Sequence, residues 1–185
     1  VCALVHRLAS DDMDVYGVTG TNGKTSTALL LAAGLESSGD TVGTVTGLGL
    51  AGPSTWLPTA RTTPEAATVQ RTLRRFRDEG ATAAAMEVSS HAVSEHRVEG
   101  VGFTSVGFTN LGPDHLDYHG SMDRYFAAKA ELFAARRTAV AAVGIDDAHG
   151  RKLAELVDVP CWTWSALDPR ADAVSYPHLR AHETE

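Results

Sequence analysis

Cysteine is nearly absent from this chain. Only Cys2 and Cys161 occur among 185 residues, far apart and without a C-x-x-C spacing, which argues against a disulfide framework or a thiolate metal site and suits a reducing compartment. An excess of cations is also lacking. The 16 Lys and Arg face 23 Asp and Glu, for a formal charge of −7, so the chain lacks the clustered positive charge that grips nucleic acid. No nucleic-acid partner is expected, and an anionic ligand needs a local site. Apolar runs are short: none approaches the roughly 20 residues of a bilayer span, and the opening VCALVHRLASDDMD lacks the apolar stretch of a secretory signal. The expectations are no membrane partner, a cytoplasmic location and a monomer.

What is present suits one folded domain. Hydrophobic residues make up 43% and charged residues 21%, ordinary for a globular chain, and a chain this long buries roughly two-thirds of its unfolded surface. Because it starts at Val1 rather than Met, an internal fragment is expected. Residues 1–14 read as the end of a preceding segment or a linker, and 15–173 as the domain. The irregular stretch 174–185, VSYPHLRAHETE, reads as either a non-native tail or a frayed native terminus.

Apolar strand-like runs recur at 15–20, 41–47, 83–89, 105–111, 138–144 and 161–165. Helical patterns lie between them: STALLLAAGLESS closed by Gly39, PEAATVQRTLRRFRDEG with Pro64 in the first turn, SMDRYFAAKAELFAARR, and DDAHGRKLAELV. This alternation predicts an α/β fold with a mostly parallel sheet and helices on both faces. Ligands of such sheets sit beyond the carboxyl ends of the strands.

TGTNGKTST, positions 19–27, joins the first strand to the first helix. The long phosphate-loop pattern fails because Val18 stands where it needs glycine. Gly20 and Gly23 still free the backbone to aim amides at an anion, Lys24 is placed to reach terminal phosphates, and the Thr25 hydroxyl suits Mg²⁺. A plain glycine turn is the alternative; Lys-Thr at the helix start favours the phosphates of ATP or GTP.

Lys129 falls on the apolar stripe of Met122, Tyr125, Phe126, Leu132 and Phe133. On these residues alone, a lysine snorkelling to water is the favoured reading. Burial would instead lower its pKa and leave a neutral amine able to add CO₂, giving a carbamate oxygen suited to Mg²⁺. His115, Asp117 and His119 crowd one turn after the strand at 105–111, an arrangement also open to a zinc reading. Glu87 ends another buried strand, ahead of Ser89, Ser90 and His91. A buried acid there needs a metal or a salt bridge.

In order along the chain, GTNGKTS, RTTPEA, MEVSSHAV, FTNLGPDHLDYHGSM and YFAAKAELF resemble the central ATP-binding domain of the Mur ligases, most closely the MurE type. The resemblance covers about positions 15–160, and it accounts for Val18, since the family uses a short G-x-x-G-K-T loop. It implies that Gly20, Thr21, Asn22, Gly23, Lys24, Thr25 and Ser26 hold ATP phosphates, and that Thr25 and Glu87 hold one Mg²⁺. Glu87, His115 and carbamylated Lys129 would surround a second metal position, making Lys24, Glu87, His115 and Lys129 the catalytic set. Thr62, Thr63, Ser89 and Arg97 match positions for a UDP-muramoyl-dipeptide. Glu95 stands where many relatives carry Gln or an apolar residue, so no role is carried onto it, and Gly112 and Pro113 replace a common Ser and Arg. The implied activity is ATP-dependent amide formation through an acyl phosphate, adding meso-diaminopimelate or L-lysine to UDP-N-acetylmuramoyl-L-alanyl-D-glutamate. A folylpolyglutamate synthase-like ligase and a non-ligating nucleotide-binding regulator are the alternatives.

Overall fold

The computed structural model describes residues 12–174; Cys2, nearly all of the stretch before the domain, and tail residues 175–185 lie outside them. Nine strands form one sheet. They are β1 (Asp14–Thr19), β2 (Val42–Thr46), β3 (Gly49–Ala51), β4 (Trp56–Leu57), β5 (Ala83–Glu87), β6 (Phe103–Phe108), β7 (Thr138–Gly144), β8 (Cys161–Ser165) and β9 (Ala173–Val174), in the order β4-β3-β2-β5-β1-β6-β7-β8-β9. All pairings are parallel except β2 with β3 and β3 with β4. The expected α/β architecture is therefore present, with an antiparallel edge that the sequence pattern did not announce. Val174, assigned above to the irregular tail, pairs with Ser165 as part of β9.

The helices are α1 (Lys24–Ser37), α2 (Ala66–Asp78), α3 (Ser90–Ser94), α4 (Leu116–His119), α5 (Met122–Ala130) and α6 (Ala148–Leu156). Both long helices stop where the sequence supplies glycine. Gly39 (φ 103°) and Gly80 (φ 90°) take left-handed backbone, and the bonds Asp40 N to Leu35 O and Ala81 N to Phe76 O close the ends. Pro64 does not occupy the first turn of α2, because Glu65 is the N-cap and is drawn instead to Arg61, 3.0 Å away. The expected helix over 121–137 ends at Ala130 and tightens into a 3₁₀ turn, Glu131–Phe133. That turn sends both Leu132 and Phe133 into the core.

Strand alternation sorts the core to two faces. Val15, Val45, Met86, Val106, Phe108 and Val143 meet α2, α5 and the 3₁₀ turn, whereas Val42, Ala83 and Ala85 meet α1 through Ala32, Leu31 and Leu35. Small residues on both sides let α1 lie close to the sheet. It contacts β2, β5 and β1. Beyond its edge an apolar cleft of about 290 Å³, lined by Tyr16, Leu31, Gly107, Ala142 and Trp164, lies open beside the loop after β1. Among the described residues no helix is long and apolar enough to cross a membrane.

β1 is the switch point of the sheet. β5 and then β2 lie on one side of it, and β6 and β7 on the other, so the loops leaving β1, β5 and β6 open at one rim. A crevice at such a reversal is where ligands of open parallel sheets bind.

Candidate active site

The first loop of that rim runs from Thr19 through Gly20, Thr21, Asn22 and Gly23 into α1. A Cβ on Gly20 would fall 1.9 Å from Thr109 Oγ1, so the close approach to the chain after β6 demands glycine. Gly23, at φ 84°, needs glycine for its backbone alone. The loop is fastened to the carboxyl end of β6. Thr21 N donates to Asn110 O at 2.8 Å, Asn22 N to Asn110 Oδ1 at 3.0 Å, and Thr109 Oγ1 to Asn22 O at 2.7 Å. Gly23 caps α1 without a side-chain hydrogen bond and no acid stands in the first turn. Thr25, half-buried, and Ser26, exposed, follow Lys24 there, and the positive end of the helix dipole faces the rim.

Two lysines meet on one oxygen of this loop. Lys24 Nζ donates to Gly20 O at 3.1 Å and to Thr21 O at 2.7 Å; Lys129 Nζ donates to the same Gly20 O at 2.7 Å. Lys129 is only 1% exposed, so its ammonium does not snorkel to water, contrary to the reading that the residues alone favoured. Burial, joined by repulsion from Lys24 and opposed by Asp114, pulls it down from 10.5 to about 7. Its remaining neighbour is an aromatic face, the Tyr125 ring at 4.7 Å, and the Tyr125 hydroxyl lies 3.2 Å from Thr21 Oγ1. Lys24 is also lowered by burial, while Glu87 and Asp114 pull it up.

Glu87 ends β5 and is 1% exposed. A backbone amide, not a salt bridge within the sheet, holds it: Gly47 N donates to Oε1 at 3.1 Å. Behind it Thr63 ties the neighbouring loops. Its hydroxyl donates to Glu87 O at 3.0 Å and accepts from Ser89 N at 3.0 Å, while its carbonyl accepts from Arg97 Nη1 at 3.0 Å. Thr62 lies against Gly47. Thr62, Thr63, Ser89 and Arg97 thus form one group adjoining Glu87.

The third loop carries the imidazoles. His115, at φ 52°, is the N-cap of α4, with its ring 4.8 Å from that of His91 and 6.2 Å from that of Tyr125. His119 turns inward, Nε2 lying 2.9 Å from Ser90 Oγ. Burial first, then the surrounding cations, lowers both His91 and His119. Asp117 acts on them only electrostatically, and among the described residues no three His, Cys, Asp or Glu side chains gather as a metal-holding group. The zinc reading has no site there. Thr109 and Asn110, which fasten the loop after β1, and Asp114 carry no signal in the sequence pattern. Tyr125 reads there as core, although this ring joins the loop to Lys129; the hydroxyl at the end of an otherwise apolar stripe was the available signal.

Fold and rim together define an open α/β domain, a mostly parallel sheet with its loops gathered at the switch point beside β1. Residues 18–182 match the Mur ligase middle domain, and the chain belongs to that family. It is 47% identical over 169 residues to the UDP-N-acetylmuramoyl-L-alanyl-D-glutamate–2,6-diaminopimelate ligase of Xanthomonas campestris pv. campestris (strain 8004), covering 91% of this chain and 32% of that one. To the enzyme of the same name from Streptomyces coelicolor it is 39% identical over 181 residues, covering 94% and 35%. The chain thus spans about a third of the length of the curated relatives it matches. A solved structure of a ligase bearing this name superposes with a TM-score of 0.76 at 31% identity, covering 88% of this chain and 34% of that one. Escherichia coli FolC in complex with DHPP and ADP shares the fold alone, with a TM-score of 0.58 at 18% identity over 88% of this chain and 46% of that one.

Proposed function

We propose that this chain is the ATP-binding part of a ligase that joins diaminopimelate to UDP-N-acetylmuramoyl-L-alanyl-D-glutamate. The observation that carries the reading is the meeting of Lys24 and Lys129 on Gly20 O beside buried Glu87, in a chain whose relatives bear that ligase's name. Bringing a substrate carboxylate up to a polyphosphate is electrostatically uphill. Lys24, fixed at the loop, offsets that repulsion where charge develops, and the amides of positions 20–26 hold the phosphates. Thr63, Ser89 and Arg97 orient the muramoyl peptide beside Glu87, so that its free carboxylate attacks the γ-phosphorus, the bond to the β-phosphate breaks, ADP leaves and an acyl phosphate forms. The incoming neutral amine then attacks the acyl carbon, phosphate leaves, and the nitrogen loses a proton to give the amide.

The residues present fit Mg²⁺ and a lysine carbamate. Lys129 is buried, lowered to about 7 and free of a carboxylate ion pair among the described residues, as an amine open to CO₂ requires. Thr25 and Glu87 would hold one ion, and Glu87, His115 and the carbamate oxygens would surround a second position, mostly hard donors in both. Bound there, Mg²⁺ supplies neutralisation of phosphate charge. The protein works as a monomer in the cytoplasm.

Incubating the full-length parent with ATP, the muramoyl dipeptide and either diaminopimelate or L-lysine, and following phosphate release, tests this reading. Release that needs both the dipeptide and diaminopimelate is expected. Release that instead needs a folate and glutamate, or nucleotide binding without release, would overturn it.

A further inference from the structure

Arg97 is buried, 6% exposed, and its guanidinium is held unevenly. Nη1 donates to Thr63 O at 3.0 Å. Nε is buried without a hydrogen-bond partner, with a Glu65 carboxylate oxygen standing off at 3.7 Å. Nη2 is bound to the Glu95 carboxylate. That carboxylate is on a different footing: its side chain is 39% exposed, and its other oxygen receives only a long 3.5 Å bond from the Tyr118 hydroxyl. The chain between them explains the contact. Glu95 caps the end of α3 and His96 then takes a left-handed turn, φ 56°, which brings the side chains two residues apart onto one guanidinium.

Arg61 also acts on Glu95 as a positive charge. Cations therefore converge on a point now taken by the protein's own acid, beside Thr63 and Ser89. A fixed, buried guanidinium with an unpartnered N–H favours any anionic group that reaches it, and the exposed glutamate is the partner free to leave.

We propose that Glu95 is a specificity-determining residue, a displaceable internal counter-ion on Arg97, so that an anionic group of the ligand binds there by exchange with this carboxylate. The inference rests on the ligase reading above. While Glu95 occupies Arg97, a phosphate or carboxylate of the ligand meets both a competitor and a like charge. Removing the negative charge leaves the guanidinium open and lowers the barrier to anionic ligands.

The test is steady-state kinetics of the full-length parent with the UDP-muramoyl-dipeptide, comparing the natural enzyme with Glu95→Gln and Glu95→Ala at low and high salt. The KM for the dipeptide should fall roughly threefold in both variants, the scale of releasing one partly exposed ion pair, with a smaller change at high salt and a smaller effect on kcat. Thermal melting checks that neither variant has lost its fold. Phosphate release that depends on the dipeptide, with KM unchanged or raised in both folded variants, overturns this proposal alone. No dipeptide-dependent release from the natural enzyme overturns it together with the ligase reading.

Discussion

Replacing Lys129 with Met should change the slope of stability against pH, and the sign follows from which state holds the proton. In the folded protein burial and Lys24 lower this amine to about 7 from the ordinary 10.5. Between those values the unfolded chain binds a proton that the folded chain releases, so stability from this group is lost as pH falls and gained as pH rises. Integrating the difference from pH 6 to pH 9 gives about 2.5 kcal/mol, or roughly 5 to 10 °C in melting temperature for a domain of this size. The side chain is 1% exposed, so solvent screening takes little from that figure. Met keeps the aliphatic bulk and removes the titration. Melting curves of both proteins in CO₂-free buffer, where the amine stays free, should diverge: the natural protein gains on the variant with rising pH. Parallel curves across pH 6 to 9 would refute the burial argument and, with it, the physical basis of the carbamate.

Other changes probe different parts of the rim and core. Lys24→Ala in the full-length enzyme should lower kcat about 10²- to 10³-fold, the scale of losing one preorganised donor, as read by phosphate release. Gly20→Ala meets Thr109 Oγ1 at 1.9 Å and should abolish ADP binding in calorimetry while lowering stability by about 2 kcal/mol. Gly23→Ala has only its φ of 84° to overcome and should cost about 1 kcal/mol. Arg137→Met, far from the lysine pair, removes a 3% exposed guanidinium that joins Glu99, Glu131 and Val98 O. It should destabilise by about 2 kcal/mol in melting experiments and leave ADP binding untouched.

The strands were readable because a parallel sheet buried on both faces imposes near-continuous apolar runs. The run at 138–144 became Thr138–Gly144, whereas that at 161–165 became Cys161–Ser165 although Trp162 and Trp164 are exposed, its apolar run kept by aromatic residues suited to a strand. Helix ends were readable where glycine marked them, at Gly39 and Gly80. Short elements were not: β4 is two exposed residues, Trp56 and Leu57, and is a strand only because Leu50 and Ala51 lie across from it. The same limit explains why Pro64 misled. α2 starts at Ala66 with Glu65 in extended backbone as its N-cap, so Pro64 stands one residue outside the helix, a one-residue shift that a local pattern does not fix.

The site divides along the same line. Local chemistry identified Gly20, Gly23 and Lys24, because a loop that approaches its neighbour closely and turns left-handed has one residue type to use. Lys129 was ambiguous, since a stripe of spacing 3 and 4 places a lysine on a helix face and says nothing of how deep that face lies. Depth came from elsewhere. The loop carbonyl that receives its ammonium belongs to Gly20, 109 residues earlier, and the ring under it belongs to Tyr125, whose hydroxyl is within reach of Thr21. A lysine so placed is opposed by burial and by a second lysine and favoured by the Gly20 carbonyl and the Tyr125 ring, with no carboxylate paired to it among the described residues. Its protonation, more than its location, is therefore the quantity on which the carbamate proposal turns.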